Sequence, residues 1–97
     1  MKLKVIKLNQ FQLNVLLDDR QKEIYKSIIP TNVFCIKCSD ICAQGIIIED
    51  ISLNELNDIL VKGTCQKCGS KVARVIEFGE NKSFYDKAIK FRKSISS

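Results

Sequence analysis

The chain has 97 residues, 45% hydrophobic and 28% charged, which suits one folded domain and is too short for two cores of ordinary size. Its 16 basic and 11 acidic side chains give a formal net charge of +5, and no segment is both poor in apolar residues and rich in one sign of charge, which argues against a disordered polyelectrolyte. No apolar run approaches the roughly 18 residues of a membrane span, and the opening MKLKVIKLNQF has neither a signal-peptide core nor a small-residue cleavage site, so the expected location is the cytoplasm.

From the N-terminus, MKLKVIKL reads as a strand. Residues 8–17 are ambiguous, because FQLNV alternates like a strand while Leu8, Phe11 and Val15 also fit a helix. The next stretch, DDRQKEIYKSIIP, predicts a helix: Asp18 or Asp19 caps it, Ile24 and Ile28 share one face, and Pro30 ends it. Two Cys-x-x-Cys pairs follow, VFCIKCSD at 33–40 and GTCQKCGS at 63–70. Between them GIIIED reads as a strand, and SLNELNDILVKG predicts a short helix over 52–63. Its marks are a capping-box pair in Ser52 and Glu55, leucines at helical spacing (Leu53, Leu56, Leu60) and Gly63 as a stop. KVARVIEF then reads as a strand that should pair with residues 45–49. Finally SFYDKAIKFRKSI predicts a helix capped by Ser83, with Phe84, Ala88, Phe91 and Ile95 as its apolar stripe and Arg92 beside it as a snorkelling or paired guanidinium.

The cysteines carry the strongest chemical signal. Five is an odd number, and a cytoplasmic chain keeps its thiols reduced, so a disulfide framework is the poorer reading. Thioredoxin-like redox chemistry needs a Cys-x-x-Cys that opens a helix, whereas Cys68 is followed at once by Gly69, Ser70 and a strand-like run. Metal binding fits both number and spacing, because two tight turns bring Cys35, Cys38, Cys65 and Cys68 together as four thiolates in a tetrahedron. Gly69 permits the positive φ such a turn uses, and Ser39 holds that place in the first turn. Cys42 could replace Cys38 as a ligand, but an uncharged buried thiol is the plainer reading.

This double knuckle resembles the zinc-ribbon group, in which two such turns sit on two short hairpins. The resemblance covers residues 33–78, about half the chain. It implies one Zn2+ per chain and an α+β fold: a zinc-ribbon-like small antiparallel sheet with an inserted helix, flanked by N- and C-terminal helices. The 26 residues between Cys38 and Cys65 exceed the roughly 15–20 of the ribbon pattern. The added loop-closure cost is only on the order of 0.5 kcal/mol, against about 10 kcal/mol or more for a structural zinc. Residues 1–97 are thus expected to form one domain, with a flank at 1–32, the ribbon-like core at 33–78 and a C-terminal helix at 80–97. One strand and one short helix between the knuckles bury little, so the metal should hold that core together. Rubredoxins also carry two such knuckles around iron, but they are acidic and aromatic-shielded, and this chain is basic without Trp.

Charge is uneven. Residues 1–32 carry +3, residues 33–79 carry −1 and residues 80–97 carry +3. Four thiolates with one zinc subtract two more charges from the middle segment. A ribbon that gripped nucleic acid through its own knuckles should be basic, so the expectation is a protein-interaction or adaptor module with a protein partner. The alternative is nucleic-acid binding through Lys87, Lys90 and Lys93 on the last helix, joined by Lys2, Lys4 and Lys7; the plain reading of those lysines is a solvated surface. An enzyme is disfavoured: there is no histidine, four cysteines close the metal's coordination sphere, and no phosphate-cradling glycine loop or small-molecule site is evident.

Overall fold

The computed structural model describes residues 3–31, 33–42 and 44–96. In chain order it holds β1 (Ile6–Leu8), α1 (Gln10–Leu16), α2 (Asp19–Thr31), β2 (Phe34–Cys35), β3 (Asp40–Ile41), β4 (Ile46–Leu53), β5 (Ile59–Cys65), β6 (Lys71–Ile76), a 3-10 turn (Phe78–Glu80) and α3 (Lys82–Ser96). Strands β1, β4, β5 and β6 form one antiparallel sheet in the order β1-β4-β5-β6, and β2 pairs with β3 as a separate small hairpin. This is an α+β arrangement with helices on both sides of the sheet in sequence.

The ambiguous segment 8–17 is helical because its start is doubly capped. Asn9 Oδ1 accepts from the Gln12 N–H at 2.8 Å, and Gln12 Oε1 accepts from the Asn9 N–H at 2.9 Å. That leaves Leu13 and Leu16 buried. Helix α2 begins with the same device between Asp18 and Gln21 and ends at Thr31, one residue past Pro30. Helix α3 is capped by Asn81, whose Oδ1 accepts from the Phe84 N–H at 3.0 Å; Ser83, the expected cap, lies inside the first turn.

Among the described residues no helix lies between the two Cys-x-x-Cys pairs. The expected inserted helix at 52–63 is instead the end of β4, a turn and most of β5. Asn54 makes that turn: its Oδ1 accepts from both the Leu56 and the Asp58 N–H at 2.9 Å, while Asn57 takes φ 61°. Leu56, counted in the helical stripe, points out from the turn at 72% exposure. Beyond it Ile59, Val61, Gly63 and Cys65 are buried and Lys62 is exposed, the alternation of a strand. Gly63 is no helix stop; a Cβ there would run into the Ile47 carbonyl, so its missing side chain lets β4 and β5 approach beside a bulge at residues 48–50. The extra strand also changes the pairing. β6 lies against β5, from Ile59↔Ile76 to Thr64↔Lys71, and not against residues 45–49.

Two apolar clusters result. The larger joins Leu8, Leu13, Leu16, Leu17 and Ile29 from the N-terminal part, Leu53, Ile59, Val61 and Ile76 from the sheet, and Phe78, Phe84 and Ala88 from the C-terminal part. The smaller holds Val33, Cys35, Cys42, Cys65 and Val72. Sheet residues expected in a metal-held unit therefore share their core with the helices. Arg92 locks this packing: its guanidinium donates to Asn57 Oδ1 and to the Asn54 carbonyl, both at 2.6 Å, and to the Lys4 carbonyl. The expected paired guanidinium is thus found, but its partners are neutral oxygens and not a carboxylate.

Candidate metal centre

Each Cys-x-x-Cys pair straddles the end of a strand and a tight turn. Cys35 closes β2 and Cys38 lies in the turn to β3; Cys65 closes β5 and Cys68 lies in the turn to β6. The first turn is closed by the Ser39 N–H on the Ile36 carbonyl at 3.2 Å, and the second by the Gly69 N–H on the Cys65 carbonyl at 2.8 Å. Both turns reverse through a left-handed residue, Ser39 at φ 55° and Gly69 at φ 77°. Glycine does this at no steric cost, whereas Ser39 carries strain on the order of 1 kcal/mol.

The four Sγ atoms of Cys35, Cys38, Cys65 and Cys68 all lie within 4.8 Å of one another. A tetrahedron with Zn–S bonds of ~2.3 Å has edges of ~3.8 Å, and the Cys35–Cys68 edge is 3.4 Å. That is far above the ~2.0 Å of a disulfide, and all five cysteines are free thiols. Donor type, number and spacing fit zinc, and the four cysteines form a site for one Zn2+. Cys35 and Cys65 are buried, Cys38 is half-buried and Cys68 is exposed, so the centre opens to solvent on one side.

The surroundings prepare thiolates. The Ser70 hydroxyl and then its N–H donate to Cys68, drawing its pKa down to about 6. N–H groups of Cys68 and Lys67 lower that of Cys65. The hydrogen bond to Cys68, foremost, holds Cys38 up at about 12, a preference for the thiol that a bound divalent cation would oppose. Cys42 lies outside the four-sulfur cluster, 2% exposed, and burial foremost pushes its thiol up to about 11. Beside the second knuckle, Glu49 accepts from Lys71 Nζ at 2.8 and 2.9 Å and from the Thr64 hydroxyl at 2.5 Å, contacts that lower its pKa, Lys71 first.

The lysines named from the sequence lie elsewhere. Lys87, Lys90 and Lys93 are exposed on α3, which packs on the larger cluster, and Lys7 pairs with Asp50 at 3.2 Å. Lys4 is exposed, and Lys2 lies outside the described residues. Sequence reasoning passed over a different set: Phe34, Ile36, Ile47 and Ile48 are exposed at 54%, 86%, 57% and 41%. They lie near the cysteines in chain or register: Phe34 and Ile36 flank Cys35, Ile47 pairs with Thr64, and Ile48 pairs with Gly63. Ile36 was legible, because the middle positions of a Cys-x-x-Cys turn have no interior to enter.

No family model matches the chain, and no solved structure matches it at a significant level. A stretch of 42 residues, 43% of the chain, is 43% identical to the hydrogenase maturation factor HypA of Rippkaea orientalis. The match covers 36% of that protein, so the chain spans little more than a third of its length. The thiol cluster, with its two knuckles on strand ends, fits a zinc-ribbon-like group. No helix of the described residues is long and apolar enough to cross a membrane.

Proposed function

We propose that this chain is a protein-interaction module whose surface is shaped by a structural zinc. The ligands would be Cys35, Cys38, Cys65 and Cys68, and the metal would cross-link the β2–β3 hairpin to the end of β5. Four thiolates fill a tetrahedral sphere and leave no position for a reactive water. With no histidine in the chain, a catalytic role would lack the commonest general base as well as an open metal position. The observation that carries the protein-partner reading is the exposure of large apolar side chains near the cysteines in chain or register, Phe34, Ile36, Ile47 and Ile48. Lys37 and Lys67 are exposed in the same two turns, but residues 33–79 carry a net charge of −1, whereas a nucleic-acid interface would be basic. The partial likeness to HypA, a maturation factor by name, supports action on another protein.

The test is a titration of the zinc-loaded protein with random duplex and single-stranded oligonucleotides at low salt. The expected result is no binding. Affinity that falls steeply with added salt overturns the reading in favour of nucleic acid and returns Lys87, Lys90 and Lys93 to consideration.

A further inference from the structure

Away from the metal centre, α1 and α3 enclose a hollow of about 320 Å³ lined by Val15, Leu16, Lys87, Lys90, Phe91 and Ser94. Its apolar character continues past its rim. Phe11 stands one turn before Val15 on the same face of α1, and the two are 76% and 57% exposed. Ile95, one turn beyond Phe91, is 46% exposed. Soluble surfaces carry isolated apolar residues, but aligned ones that border a hollow mark a contact site.

The charge around this groove has one sign. Helix α1 reads QFQLNVL and carries none. The acidic residue of α3, Asp86, is taken by Lys82 at 3.0 Å. Among the described residues, neither Lys87 nor Lys90 is paired with a carboxylate. Their aliphatic stems extend the apolar wall while the ammonium groups stand at its edge.

We propose that the groove receives an amphipathic helix of a partner protein, its apolar face against Phe11, Val15 and Phe91 and its acidic side chains against Lys87 and Lys90. This rests on the protein-partner reading and names the chemistry of the partner. A helix laid in a groove reads such a surface through spaced apolar anchors, and opposite charge at the rim fixes its orientation. A second copy of this chain is the poorer occupant, since a two-fold contact of this face with itself brings four lysines to one apolar interface without a carboxylate. Phosphates would meet Lys87 and Lys90 but leave the apolar floor uncovered, so a partner with both apolar and acidic side chains fits the groove better.

The probe is a synthetic helical peptide with leucines on one face and glutamates on both flanks, added to isotope-labelled, zinc-loaded protein. The controls are the same peptide with lysine for glutamate, phosphatidylserine vesicles and a random oligonucleotide. Expected are amide shifts confined to α1 and α3 with the glutamate peptide, and weak or absent effects from the controls. Phe11→Ser with Val15→Ser should weaken binding about tenfold or more, and both side chains are exposed enough for the fold to tolerate the change. Lys87→Glu with Lys90→Glu should reverse the preference toward the lysine peptide. Absence of shifts in α1 and α3, equal binding of both peptides, or stronger shifts from vesicles or oligonucleotide would each overturn the proposal. If the glutamate peptide fails while oligonucleotides also fail to bind, this groove is not the site and the general protein-partner reading stands.

Discussion

Strand β5 runs through two regions built on different physics. Its first half, with Ile59 and Val61, belongs to a cluster of twelve buried residues drawn from both ends of the chain and the sheet. Its last residue, Cys65, belongs to a cluster of five, three of which are cysteines. The first region gathers most of the buried apolar side chains that oppose chain entropy. The second gathers few, and its hairpin of two two-residue strands has little ladder to contribute. Where the core is thin, thiols stand in its place, and a bound metal would supply the cohesion that side-chain burial does not.

Metal removal should separate the two regions most clearly. Treatment with a strong chelator, or Cys65→Ser, should erase the dispersed amide signals of residues 33–42 and 65–71, because about 10 kcal/mol or more of metal binding is lost there. Signals of α1, α3 and residues 51–61 should persist with a cooperative thermal transition. Collapse of the whole spectrum would instead make the two regions one unit. The converse experiment is Phe84→Ala. Phe84 is fully buried, with its ring 5.5 Å from that of Phe78, and its truncation should cost ~3–5 kcal/mol in denaturant unfolding. Zinc stoichiometry in the folded protein should not change.

Arg92→Met removes the donors to Asn57, Asn54 and Lys4 while keeping most of the aliphatic stem. Asn57 is fully buried, its Nδ2 already lacks a partner, and losing Arg92 leaves its Oδ1 unsatisfied as well. The expected loss is ~2–3 kcal/mol, again without loss of metal. At the other region, Ser39→Gly relieves the left-handed residue of the first knuckle. It should slow zinc loss to a competing chelator and stabilise the knuckle by up to ~1 kcal/mol; faster loss would show that the Ser39 contacts outweigh the strain. Smallest in its effect on the metal is Cys42→Ala. One zinc per chain should remain by elemental analysis, and loss of half or more would bring Cys42 into the ligand set.

The metal centre was legible because its signal is local and chemical. A Cys-x-x-Cys turn is four residues long, its thiols have few alternative uses in a reduced chain, and two of them complete one coordination sphere wherever the intervening chain travels. The terminal helices were legible from apolar periodicity, although Asn81 and not Ser83 caps the last. The segment 52–63 was misread because its local pattern satisfied two periods at once. Ser52 and Glu55 fit a capping box, and the leucines fit a helix, but Ile59, Val61 and Cys65 also fit a strand.

The choice between those periods belongs to tertiary structure. As a helix, residues 59–65 would bury one stripe; as β5 they hydrogen-bond to β4 on one side and β6 on the other and place Ile59 and Val61 in the larger core. Both ladders join residues distant in sequence, so neither is visible in a short window. The same holds for Arg92, whose three acceptors lie 35, 38 and 88 positions away along the chain. By itself the sequence determined which cysteines could come together and that helices lie near residues 19–31 and 82–96, because those depend on chemistry within a turn or two. Only the folded chain decided which strand stands in the middle of the sheet and which apolar side chains remain at the surface, because those depend on partners that folding alone brings together.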